Sequence, residues 1–199
     1  MKVYPGFKKE DLILVPDFPS KEGGLIEVAE KSIMWLKFVV EGKQAHPSTP
    51  EEGINANRVA SELICRLDKM LHKRYLKKNE LFDPPNSTFE PTRREENISN
   101  INTLPGEDVF YWDCKVLPAY NLEEIFSKVE EEAKQVEKEF NVSVSIEKVM
   151  FDQAAPPTPK DAPVVESLGK AVRSVYRVNT KTIETGGGTV AACFRGGRA

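Results

Sequence analysis

Cysteine and histidine are scarce in this chain of 199 residues. Its three cysteines, Cys65, Cys114 and Cys193, lie far apart, and none forms a C-x-x-C pair. That spacing excludes a disulfide framework and a cysteine-built zinc site, and reduced thiols in a cytoplasmic protein are the default expectation. No apolar run approaches the roughly 18–20 residues that cross a bilayer. The opening Met-Lys-Val-Tyr-Pro-Gly-Phe has no apolar stretch of the signal-peptide kind. Positive charge is also short: 28 Lys and Arg face 31 Asp and Glu, a formal net charge of -3. A phosphate-binding surface wants the opposite balance, so neither a membrane nor a nucleic acid is an expected partner. Internal repeats and low-complexity tracts are missing as well.

What is present is enough apolar material, 40% of the residues, to bury a core. Leu12-Ile13-Leu14-Val15 is a short continuous apolar run, which predicts a strand covered on both faces. Gly23-Gly24 makes a turn. From Trp35 the pattern alternates: Leu36, Phe38 and Val40 share one face, Lys37 and Glu41 the other, as in a half-buried antiparallel strand. Ala56, Val59, Ala60, Leu63, Ile64, Leu67, Met70 and Leu71 then draw one stripe on a helix. Asp83-Pro84-Pro85-Asn86-Ser87 breaks the chain, and a strand-compatible segment covers Thr88 to Glu95.

Asn102-Thr103-Leu104-Pro105-Gly106 reads as a turn. In "EDVFYWDCKVLP", Phe110, Trp112, Cys114 and Val116 share a face opposite Tyr111, Asp113 and Lys115. Asn121 can cap the next helix, with Glu124 completing a capping box. That helix carries the stripe Leu122, Ile125, Phe126, Val129, Ala133, Val136 and Phe140. Val142, Val144 and Ile146 alternate in a last strand. From 35 to 150 the order is β-α-β-β-α-β, which predicts an α+β, ferredoxin-like domain: a four-stranded antiparallel sheet with two helices on one face. The Pro-rich "AAPPTPKDAP" closes it. Residues 161–199 read as a helix, a short strand from Thr180 to Ile183, and a Gly186-Gly187-Gly188-Thr189 turn into a helix start.

"EGKQAHPSTPEEGINA", "INTLPGEDVFYWDCKVLP" and "ETGGGT", in this order, resemble the zinc-dependent exopeptidases and deacylases. That group includes succinyl-diaminopimelate desuccinylase, acetylornithine deacetylase, aminoacylase and glutamate carboxypeptidase. The resemblance spans essentially the whole chain. It implies an inserted dimerisation and lid domain at 35–150, with 1–34 and 151–199 as parts of an incomplete α/β catalytic domain. It also implies a homodimer formed through the ferredoxin-like domain. His46 matches the histidine of the family's G-K-x-A-H loop, which reaches into the partner subunit's active site and steadies the tetrahedral intermediate. Without that match, His46 reads as a surface turn residue. Asn102 matches the substrate-holding asparagine of N-x-x-P-G; the plain alternative is a turn-forming Asn. Lys115 stands where the family has arginine in Asp-x-Arg, keeping the charge but losing the planar fork. A partner for Asp113 is its simple alternative.

Asp17 resembles a carboxylate metal ligand placed just past a core strand. Gly187, Gly188 and Thr189 resemble a loop that receives an anionic substrate group on backbone N–H groups. His72 matches no family position and reads as a solvated helix residue. The family's other metal ligands and its general base have no counterpart here. The expectation is therefore that zinc or cobalt serves the complete enzyme, and that this chain alone binds none and is inactive. The chain then reads as a truncated piece of a longer hydrolase, slightly favoured by the "FRGGRA" ending, or as one half whose missing part a separate chain supplies. N-acyl amino acids or small peptides are the implied substrates. Two other readings stand beside this one: a non-catalytic dimerisation module, and a ferredoxin-like RNA-binding module displaying the aromatics of "VFYWDCKV".

Overall fold

The alternation of large apolar and polar residues in 32–41 and 107–116 builds two long paired strands, and the rest of the small domain assembles around them. The computed structural model describes residues 11–16 and 23–195. The elements are β1 (Leu25–Glu30), β2 (Ser32–Glu41), α1 (Ala56–Arg74), β3 (Thr88–Arg94), β4 (Glu107–Val116), α2 (Leu122–Phe140), β5 (Ser143–Asp152), α3 (Pro163–Tyr176), β6 (Lys181–Thr185) and α4 (Ala191–Arg195). Strands β3-β4-β2-β5 form an antiparallel sheet, and β1 and β6 form a separate parallel pair. The fold is the expected α+β arrangement, with the two long helices packed on one face of the larger sheet.

The core lies between that face and the helices. Met34, Leu36, Phe38 and Val40 from β2 meet Phe110, Trp112, Cys114 and Val116 from β4 under the stripes of α1 and α2. Phe38 and Phe110 are cross-strand partners whose rings stack 4.6 Å apart. Burial pushes the Cys114 thiol well above its ordinary range, so it is inert packing rather than a nucleophile. Asn55 caps α1 by accepting from Arg58 N–H at 3.2 Å, and Asn121 caps α2 through Glu123 N–H at 2.8 Å. The left-handed Asn141, at φ 54°, ends α2. Phe110 and Trp112 are buried on the helix side, so the aromatics that suggested RNA stacking are closed to bases.

One expectation needs correction. The run Leu12–Val15 is not a strand covered on both faces: it has no regular structure, and Leu12 and Leu14 are 54% and 55% exposed. A continuous apolar run becomes a buried strand only where layers exist to cover it. The parallel strand beside β6 is instead β1.

Where β1 passes into β2, three consecutive polar residues are buried: Glu30, Lys31 and Ser32. Each ties the two sheets to a different piece of chain. Glu30 reaches Thr189 and Arg195. The Lys31 ammonium donates to Pro84 O at 2.9 Å and Asn86 O at 2.7 Å. Ser32 Oγ accepts from Ala154 N–H at 2.8 Å. Burial holds the Lys31 ammonium below its ordinary pKa. In the window between the lowered and the ordinary value, the folded state binds fewer protons than the unfolded one, so stability rises with pH there. Lys31→Met is expected to lose that alkaline slope. It should also cost roughly 1–3 kcal/mol by stranding two carbonyls. Thermal unfolding across the alkaline range checks both, and an unchanged slope counts against the burial argument.

Candidate functional site

The strand β2 ends where Gly42 N–H donates to Gly106 O at 2.7 Å, and Lys43 and Ile54 exchange backbone bonds of 2.8 Å each. A Cβ on Gly42 would run into Ile54 O, so only glycine lets the two backbones close this loop. Beyond it, Ala45 pairs with Leu104, and Leu104 N–H donates to Ala45 O at 2.9 Å. This bridge stitches the His46 loop to the Asn102 turn, so both residues stand at one tip of the sheet. Both are exposed.

The His46 ring is held by its own loop. Nδ1 lies 2.6 Å from Ser48 Oγ and accepts from Ser48 N–H at 3.2 Å. An Nδ1 that accepts leaves the proton of a neutral imidazole on Nε2. That nitrogen makes no hydrogen bond to any described residue, and the His46 side chain is exposed. Asn102 N–H donates to Asn100 Oδ1 at 2.8 Å, which shapes the turn and leaves the Asn102 amide presented at the tip.

A second group gathers at the opposite end of β2. Lys115 is the cross-strand partner of Ile33. A Cβ on Gly188 would lie 2.9 Å from Ile33 Cδ1, so the glycine turn packs directly against this end of the sheet. Lys115 Nζ sits 2.6 Å from Asp113 Oδ1 and 5.3 Å from the Trp35 ring centroid, on the face without helices. Its charge is thus answered within the chain. Thr189 N–H donates to Glu30 Oε2 at 3.0 Å, and its hydroxyl contacts Glu30 Oε1. Glu30 also pairs with Arg195 at 2.6 Å. The carboxylate of Glu30 therefore already occupies the Thr189 donors, and the open backbone of the turn is Gly186 and Gly187.

The two groups are far apart. Ile33 and Glu41 are eight residue steps apart along β2, which at ~3.3 Å per step is roughly 26 Å. His46 and Asn102 cannot reach the glycine turn of their own chain.

Asp17 lies outside the described residues. Among the described residues, no group of three or more His, Cys, Asp or Glu could hold a metal ion. His72 is half-exposed on α1, 3.2 Å from Asp68 and edge-on to Phe89. The sequence reading missed Glu30 and Arg195. The available signal was "AEKS", two charges set between the apolar stretches of β1 and β2.

Residues 28–141 match the Peptidase dimerisation domain of the M20 peptidases. The chain belongs to the M20 peptidase family. An uncharacterized metallohydrolase of Methanococcus maripaludis is 41% identical over 202 residues, covering 95% of this chain and 48% of its own length. A second, from Methanocaldococcus jannaschii, is 38% identical over 197 residues, with the same two coverages. The M20 chain described here thus spans about half the length of the curated relatives it matches. Among solved structures, aminopeptidase PepT of Bacillus cereus shares the fold, with a TM-score of 0.66 at 19% identity, over 87% of this chain and 43% of that one.

Proposed function

We propose that this chain is the dimerisation and lid portion of an M20 metal-dependent amide hydrolase, with His46 acting in the active site of a second subunit. The division is 1–34 and 151–199 as catalytic-domain segments and 35–150 as the inserted dimerisation domain. The observation that carries the reading is the His46 ring. Its Nδ1 is engaged by Ser48, its Nε2 is free to donate, and it stands roughly 26 Å of strand away from its own glycine turn. An exposed donor held by its own loop suits an oxyanion that develops on a neighbouring molecule. Asn102 beside it would hold the same substrate. The glycine turn and Lys115 would face substrate bound in their own subunit.

Zinc or cobalt would activate water in the complete enzyme. Among the described residues there is no ligand set for it. The substrate class is N-acyl amino acids or small peptides, in the cytoplasm, with the second subunit an identical chain. The purified chain, supplied with zinc or cobalt, is expected to give no turnover of an N-acetyl amino acid. It should run as a dimer in light scattering. Measurable hydrolysis by the chain alone would overturn the half-enzyme reading, and a monomer would overturn the trans role of His46.

A further inference from the structure

We propose that Glu30 is a positioning residue: its buried carboxylate clamps the glycine turn and so sets where the open backbone of Gly186 and Gly187 stands against the larger sheet. The proposal rests on the reading above, in which that turn faces substrate, and names the group that holds it in place.

The anchors of the turn lie on one short stretch of chain. Lys31 N–H donates to Thr185 O at 3.0 Å, and the Thr185 hydroxyl donates to Glu27 Oε1 at 2.9 Å. At the far end Thr189 N–H donates to Glu30 Oε2 at 3.0 Å, and the Thr189 hydroxyl contacts Glu30 Oε1. Between them, Gly188 packs on Ile33 so closely that a Cβ would lie 2.9 Å from Ile33 Cδ1. Glu27 and Glu30 belong to β1 and Ile33 to β2. The turn is therefore seated across the junction of the two sheets. A Cβ on Gly186 or Gly187 would meet nothing within 4 Å, so the middle of the turn is placed by its ends.

The chemistry of the far anchor selects a carboxylate. Thr189 Oγ accepts from Ala191 N–H at 3.2 Å, which leaves its O–H to donate to Glu30. Arg195 adds a further donor, 2.6 Å from Glu30 Oε1. Both oxygens of Glu30 thus face donors, and an ionised carboxylate is an acceptor at both. A glutamine of the same size would turn an NH2 donor against one of these groups. Glu30 is buried, so no water is at hand to repair that mismatch. An ion pair serving stability alone would lower the melting temperature when broken and leave substrate affinity untouched. A clamp on a substrate-facing turn alters affinity as well.

The test has two arms. In the full chain, NMR follows the amide signals of Gly186, Gly187 and Thr189 in the wild type and in Glu30→Gln. The Thr189 amide is expected to exchange with solvent about tenfold faster in the variant. The signals of Gly186 and Gly187 should move, while those of Phe38 and Phe110 in the sheet stay in place. In a complete enzyme built on this chain, with N-acetyl amino acids as the probe, Glu30→Gln should raise KM about tenfold and change kcat little. That is the reverse of a lost oxyanion donor. If Glu30→Gln fails to fold, Thr189→Val and Thr189→Ser decide. Valine should repeat the KM rise, and serine, which keeps the hydroxyl, should match the wild type; equal behaviour of the two overturns the clamp. Unchanged exchange at Thr189 also overturns the clamp and leaves the reading of the turn standing. A turn that loosens while KM stays at its wild-type value sinks that reading, and the positioning role with it. A fall in kcat at constant KM overturns the positioning role alone.

Discussion

Replacing His46 with alanine in a complete enzyme built on this chain is expected to lower kcat about 10²-fold and leave the dimer intact. The size follows from the role. One lost donor to a developing oxyanion removes about 3 kcal/mol of transition-state stabilisation. The interaction is made only in the transition state, so KM should change little. Ser48→Ala should have a smaller effect of the same kind, because the Ser48 N–H still holds Nδ1 when the hydroxyl is gone. The decisive form of the experiment uses mixed dimers. One subunit carries His46→Ala and the other Gly188→Val, whose added bulk strikes Ile33. Each variant alone should be nearly inactive. If His46 serves the neighbouring subunit, the mixture has intact composite sites and recovers about a quarter of full activity for a random twofold-symmetric dimer. If His46 serves its own subunit, no subunit in the mixture has both parts and nothing is recovered.

The readability of the chain follows the same physics. β2 and β4 were legible because one face of each is buried and the other is not, so period two is written into the residues. The stripes of α1 and α2 were legible for the matching reason at 3.6 residues. β1 was not, because Ile26, Val28 and Ala29 are buried on more than one side and Glu30 is buried as an ion-paired acid. A carboxylate in that position looks like surface until its Arg195, 165 residues later, is known. Leu12–Val15 misled for the converse reason: apolarity states what a segment can bury, not what is there to bury it. At the site, His46 and Asn102 were visible as motif residues. Their shared tip depends on the Ala45–Leu104 bridge, and the donor nitrogen depends on Ser48, neither of which periodicity reports. For Lys115 the sequence left open a substrate-binding charge or a partner for Asp113, and the 2.6 Å contact with Asp113 appears only in three dimensions.

Asp108→Ala is expected to be among the most destabilising single changes in the small domain, at roughly 3 kcal/mol. The Asp108 side chain is fully buried in β4 and takes both ends of the Arg94 fork, with Nε at 2.8 Å and an NH2 contact at 2.9 Å. Asn97 donates to the same carboxylate at 2.6 Å. Arg94 continues to Asn57 O at 3.0 Å and Asn57 Oδ1 at 2.7 Å in the first turn of α1. One carboxylate thereby fixes β3, β4, the start of α1 and the loop that leads to Asn102. Removing it strands a guanidinium and an amide that the fold has positioned, and the partial exposure of Arg94 keeps the penalty below that of a wholly buried pair. Asp108→Ala combined with Arg94→Met should recover part of the loss, since no unpaired charge then remains. Arg94→Lys alone should also lose stability, because an ammonium cannot span Asp108 and Asn57 at once. Denaturant unfolding of the four proteins, analysed as a double-mutant cycle, reads the coupling directly. A loss below about 0.5 kcal/mol for Asp108→Ala would place it with ordinary surface substitutions and remove the network from the account of how the tip is held.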